Sequence, residues 1–239
     1  IIPGSVLHDP EVNITGAICN NLNINTTASL QINAGKALTV YGNLTSNGTF
    51  AISSNAASSG SLIVNGTSTG NVTYNRYVAA YPRWYILSSP VNGATLDQFR
   101  SYLRNNGTTY DFAPYIEPAN YGWDYMLMST PTYSLTPGQG YATRLQTVNN
   151  IPFTGTLNDV VLNSLTNTHT MPGDIDENGW NAIGNPYTSA IRAKNTAGAP
   201  NFLDANLSML ANDYAAIYVW SIDGYKVINN VGYTGNNPH

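Results

Sequence analysis

The densest run of ligand-type oxygens in this chain is Asp174-Ile175-Asp176-Glu177-Asn178-Gly179. A hard divalent cation takes about six to eight oxygen ligands, and a calcium loop opens with oxygen side chains at alternate places followed by glycine for a sharp turn. Asp174, Asp176 and Asn178 are therefore the candidate metal ligands, and calcium is the ion their chemistry suits. The competing reading is a solvated acidic turn before Trp180, because Asn185 stands where a helical calcium loop carries a bidentate Glu.

A second candidate rests on rings. Tyr110, Tyr115, Tyr121, Trp123, Tyr125 and Tyr133 crowd one loop-rich stretch. Flat rings beside Asn and Asp side chains suit the faces of sugars, which makes Tyr121, Trp123 and Tyr125 the candidate glycan-binding residues. The plainer alternative is that alternate members are core and the others cover a sheet. Trp84 and Trp180, at equivalent places in a repeat, read as packing anchors.

Other constellations are thin. His8, His169 and His239 lie far apart, and none has a Cys or His at zinc-ligand spacing. The single Cys19 has no internal disulfide partner and reads as a buried, inert thiol. No Gly-x-Ser-x-Gly elbow occurs, and the acids Asp97, Asp111, Glu117, Asp124 and Asp159 are thinly spread with nothing in their spacing to pair them, most of them reading as solvated loop residues. Gly138-Gln139-Gly140 lacks the third glycine of a phosphate-cradling loop. No catalytic residue is assigned; the expectation is a protein that is not an enzyme and carries no organic cofactor.

Composition narrows the partners. Charged residues are 9% of the 239, against about 25% in typical domains, and 17 Tyr with abundant Asn, Thr, Ser and Gly make up the polarity. That palette favours pleated strands and tight turns. Net charge is −4 and the nine Lys and Arg are scattered singly, so nucleic acid is not an expected partner. No stretch approaches the ~20 apolar residues of a membrane-spanning helix. The start at Ile1 and the stop at His239, just after a strand-like segment, read as processed or truncated ends of something longer.

The elements that must position these residues follow from apolar spacing. Leu22/Ile24, Leu30/Ile32, Leu38/Val40, Phe50/Ile52 and Leu62/Val64 are period-two pairs separated by Gly and Asn, and the first three recur every 8 residues. Short rungs with Gly/Asn corners predict a β-solenoid or β-roll over residues 1–75, with an antiparallel meander as the alternative. Beyond it Trp84-Tyr85-Ile86-Leu87-Ser88-Ser89-Pro90 aligns with Trp180-Asn181-Ala182-Ile183-Gly184-Asn185-Pro186 at an offset of 96. Two β-sandwich-like modules are expected, over 76–165 and 166–239, the second incomplete and leaving an unpaired sheet edge. Leu135 to Ala142 predicts a Pro-Gly turn feeding a strand, and helical turns are predicted at Thr95 to Arg104 and Asn201 to Ala211. The fold class is all-β.

Five of these segments resemble secreted multidomain proteins of Bacteroidetes, many exported by type IX secretion. They are Cys19 to Ile24, Leu38 to Thr45, Gly60 to Gly66, Trp84 to Pro90 and Gly179 to Tyr187. The resemblance implies export by a signal peptide and a sorting domain, neither of which lies in this chain. The expected role is a non-catalytic structural or adhesion segment, secreted and held at a bacterial cell surface, whose partners are extracellular glycans or neighbouring subunits. Two alternatives stand beside it: a carbohydrate-binding accessory region of an extracellular enzyme, and a subunit of a self-assembling surface fibre.

Overall fold

The computed structural model describes residues 1–4, 8–117, 122–158, 179–194, 200–211, 215–221 and 224–230. It is mostly β, as the composition predicts. The first ten strands are β1 (Glu11–Val12), β2 (Ala17–Cys19), β3 (Leu22–Ile24), β4 (Ser29–Ile32), β5 (Ala37–Val40), β6 (Leu44–Ser46), β7 (Thr49–Ser53), β8 (Ser61–Val64), β9 (Ser68–Gly70) and β10 (Val72–Val78). From β1 to β7, each pairs in parallel with the strand three places on, and paired residues lie 20 to 24 positions apart. Parallel neighbours cannot be joined by tight hairpins, so the antiparallel alternative does not apply here.

Alternation explains what each strand buries. Leu22, Ile24, Leu30, Ile32, Leu38 and Val40 point inward and are buried, while Asn23, Gln31 and Thr39 between them are not. Register then stacks like on like: Leu30 lies on Phe50, Leu38 on Leu62, and Ile32 on Ile52, which lies on Tyr74. Each such side chain, fully withdrawn from water, contributes about 1.5–3 kcal/mol.

The corners explain the Asn and Gly. Asn21 Oδ1 accepts from the Asn43 amide at 2.8 Å, and Asn43 Oδ1 accepts from the Thr67 amide at 3.0 Å. One short amide side chain thus satisfies the turn stacked on it, which strands alone would leave unpaired. The glycines in these corners leave room for the ladder, since a Cβ on Gly42 or Gly66 would collide with Asn21 Oδ1 or Asn43 Oδ1 respectively.

Beyond β10 come β11 (Tyr85–Leu87), β12 (Val91–Asn92), β13 (Phe112–Ile116), β14 (Gly122–Trp123), β15 (Tyr141–Thr143), β16 (Asn149–Leu157), β17 (Ile217–Ser221) and β18 (Gly224–Ile228). β10 pairs antiparallel with β16 from Val72↔Gly155 to Val78↔Asn149, and so carries the parallel stack into the second half. β11, β15, β13 and β14 form a four-stranded antiparallel sheet in that order, and β17 with β18 form a hairpin. One buried cluster runs from Leu22 to Leu157, so both halves share a core. Phe99 lies 5.3 Å from Phe153, and Phe112 stacks on Tyr141 at 5.1 Å.

The predicted helices are shorter than their spacing suggested. Thr95 to Arg104 forms two 3-10 turns, Leu96–Gln98 and Arg100–Tyr102, yet Leu96, Phe99 and Leu103 are all buried. The second region is one helical turn, Phe202–Ala205, capped by the Asn201 side chain, and a 3-10 turn, Leu207–Met209. Gly138, with φ +85°, makes the predicted turn before β15. The Trp180 segment forms no strand: Ile183 bridges Gln139, and Thr188 covers the open edge of β8, its carbonyl accepting from the Leu62 amide and its hydroxyl donating to the Leu62 carbonyl.

Candidate aromatic and guanidinium face

The four-stranded sheet has two unlike faces. Phe112 and Tyr141 turn inward to the core. Alternation sends the other set outward, and the register places Ile86 beside Ala142 and Ala142 beside Ala113. Both alanines in the middle of this face are buried, and larger groups stand at its ends. Tyr115 opposes Trp123 across β13 and β14, with ring centres 5.3 Å apart and edge to face.

Two residues further along the strands, Trp84, Arg144 and Asp111 continue the row on the same face. Asp111 Oδ2 accepts from Arg144 Nε and lies within 2.8 Å of Arg144 Nη2, and it accepts from Arg104 Nη1 at 3.0 Å. Two guanidinium forks thus share one carboxylate, which leaves the trio with one net positive charge. The Arg144 guanidinium also lies 4.3 Å from the centre of the Trp84 ring, and both arginines lie about 5 Å from Tyr81. A cation over a ring at these distances is attracted by the ring's quadrupole. Trp84 in turn meets Tyr125 edge to face at 6.1 Å. Tyr81 and Tyr125 remain 56% and 41% exposed, so ring area is open to solvent on this face.

Of the sequence candidates, Trp123 is half-buried against Tyr115 and Tyr125 is exposed against Trp84; Tyr121 lies outside the described residues. Tyr110 is buried and Tyr133 packs on the core, so the crowded ring stretch divides between core and cover. Asp174, Asp176 and Asn178 lie outside the described residues, as does His169. The Gly179 amide, at the end of that acidic run, donates to the buried Glu117 carboxylate at 3.0 Å. Among the described residues no three His, Cys, Asp or Glu side chains gather as a metal site.

Sequence reasoning did not find Tyr81, Arg104 and Arg144, and it counted Asp111 and Glu117 among acids read mostly as solvated loop residues, whereas both are buried, Asp111 between the two arginines. The available signal was strand alternation: Arg144 follows Ala142 by two and Asp111 precedes Ala113 by two, so each shares the outward face.

A family model described as a domain of unknown function (DUF8693) matches residues 1–235. No curated protein and no solved structure matches the chain.

Proposed function

Because the chain belongs to this family of domains of unknown function, we propose its role from its own geometry: a non-catalytic structural and adhesive segment, secreted and displayed at a bacterial cell surface within a larger protein. The observation that carries this reading is the run of parallel pairings between each strand and the one three places on. We read that run as a β-solenoid, in which each coil is covered by its neighbours and length is gained by stacking. Such a body suits a stiff spacer that holds the following β modules away from a surface. The bacterial, type IX-exported setting follows from the resemblance alone.

The test is protease shaving of intact producing cells. Peptides from this chain should be released without lysis, and a strain lacking it should attach less well to its substratum. Recovery of the chain only after lysis would overturn the reading.

A second reading, a carbohydrate-binding accessory region, is favoured by the open rings of Tyr81 and Tyr125 beside two guanidinium groups. Binding on a glycan array that disappears in Trp123→Ala and Tyr125→Ala would promote it. Silence across diverse polysaccharides would remove it.

A further inference from the structure

A cleft of about 280 Å³ lies where the parallel stack meets the second half, between the turn after β7 and the strands β10 and β11. It is lined by Asn55 to Ser59, Arg76, Tyr77, Ala79, Arg83 and Tyr85. Among the described residues the ion pairs are Arg100 with Asp97 and Arg104 and Arg144 with Asp111, so neither cleft arginine faces an acid. Arg76 is held in place by one bond, from its Nη1 to Ser59 Oγ at 2.8 Å, and its remaining N–H groups are donors available to a ligand. In a chain of net charge −4, two guanidinium groups with no acid paired to them among the described residues, in one concavity, mark a local positive potential.

The walls are fixed before anything binds. Asn55 Oδ1 accepts from the Ala57 and Ser58 amides, both at 2.9 Å, and the Asn55 amide donates to the Ser58 carbonyl at 2.8 Å. The Tyr77 amide donates to Ser54 Oγ, and the Tyr85 hydroxyl accepts from the Ala79 amide at 3.3 Å. Preformed walls lower the ordering cost of binding.

We propose that this cleft binds the carboxylate or sulfate of an acidic oligosaccharide, with Arg76 and Arg83 reading the charge. A guanidinium fork matches the planar oxygens of a carboxylate, and matches sulfate oxygens in the same paired way. Ser58, Ser59 and Asn55 supply partners for sugar hydroxyls, and the Tyr77 and Tyr85 rings supply apolar faces. The volume is at the low end of the ~300–1,000 Å³ of small-molecule sites, which suits one ring and its acidic group. This inference rests on the glycan-binding reading and names its ligand class.

Isothermal titration with a galacturonate trimer, a sulfated heparin-type disaccharide and a neutral galactose trimer tests it. The expected result is binding of at least one acidic probe and not of the neutral one, weakened at least tenfold by Arg76→Gln and by Arg83→Gln, with both variants retaining the parent's circular dichroism and melting temperature. Raising salt from about 50 to 500 mM should weaken it further, because the Debye length shrinks to a few ångströms. If the neutral trimer binds as tightly, or if acidic binding survives both substitutions, the charge-reading cleft is refuted while glycan binding stands. If none of the three binds, the charge-reading cleft is refuted, and the glycan-binding reading is decided by the array.

Discussion

Asp111→Asn keeps the side chain's size and removes its charge, and the expected cost can be worked from its surroundings. The Asp111 side chain is 11% exposed, that of Arg144 16% and that of Arg104 38%. Breaking a buried pair by removing one partner costs about 3–5 kcal/mol, because the other charge is left desolvated, whereas an exposed pair is worth about 0.2–1 kcal/mol. Arg144 is close to the first case and Arg104, more than a third exposed, belongs to the second. With Arg144 still partly reached by water and by the Trp84 ring, a total loss of about 3 kcal/mol is expected. For a chain of this size that lowers the melting temperature by ~6–12 °C. Calorimetry and urea unfolding at pH 7 would measure it. Adding Arg144→Gln to the variant should cost less than the sum of the two single changes, because the more buried uncompensated charge is then gone and only the more exposed Arg104 is left unpaired. A loss under about 0.5 kcal/mol, or strict additivity, would refute the view that Asp111 is the buried keystone of this face.

Other outcomes follow from single positions. Gly70 has φ +84° and a Cβ there would collide with the Ser46 carbonyl oxygen, whereas Gly93, at φ +80°, has nothing within 4 Å. Gly70→Ala should therefore cost more than about 3 kcal/mol and Gly93→Ala only about 1 kcal/mol, read as the separation of their urea midpoints; equal midpoints would refute the close approach of β9 to β6 at Gly70. Burial pushes the Cys19 thiol up, against a smaller opposing pull from the amino terminus, so Ellman's reagent at pH 8 should react more slowly than with free cysteine. A fast, stoichiometric reaction would place Cys19 in water. Burial first, and then Tyr141, hold the Tyr133 phenol far above the ordinary tyrosine range. The native state then keeps this proton more tightly than the unfolded chain, so stability from this group is complete below about pH 10 and declines above it. Between pH 8 and 10.5 the parent should lose more stability to urea than Tyr133→Phe does, and equal losses would count against the assignment.

What could be read in advance was local. Leu22/Ile24 and Leu30/Ile32 reveal strands because inward and outward places alternate within a few residues, and Gly42 and Gly66 mark corners because a side chain there has no room. The guanidinium pair was not legible: Arg104 meets Asp111 across the turn between them, but Arg144 stands 33 residues away and meets it only because β13 and β15 align. Nothing in the residues near Arg144 announces which strand will lie beside it.

The Leu96 region separates these two kinds of information most clearly. Leu96, Phe99 and Leu103 have helical spacing, and all three are buried, yet the backbone leaves the helix at Phe99, with φ −143°. The reason lies 56 residues away. Gln98 Nε2 donates to the Thr154 carbonyl and Gln98 Oε1 accepts from the Thr154 amide, both at 2.9 Å. β12 pairs with β16 only at Thr156 and Leu157, so the Thr154 amide and carbonyl lie just past its end. The Gln98 amide group supplies the donor and acceptor that another strand residue would have supplied. Spacing therefore decides which side chains are buried, while an open backbone edge elsewhere in the fold decides how the chain must turn to bury them.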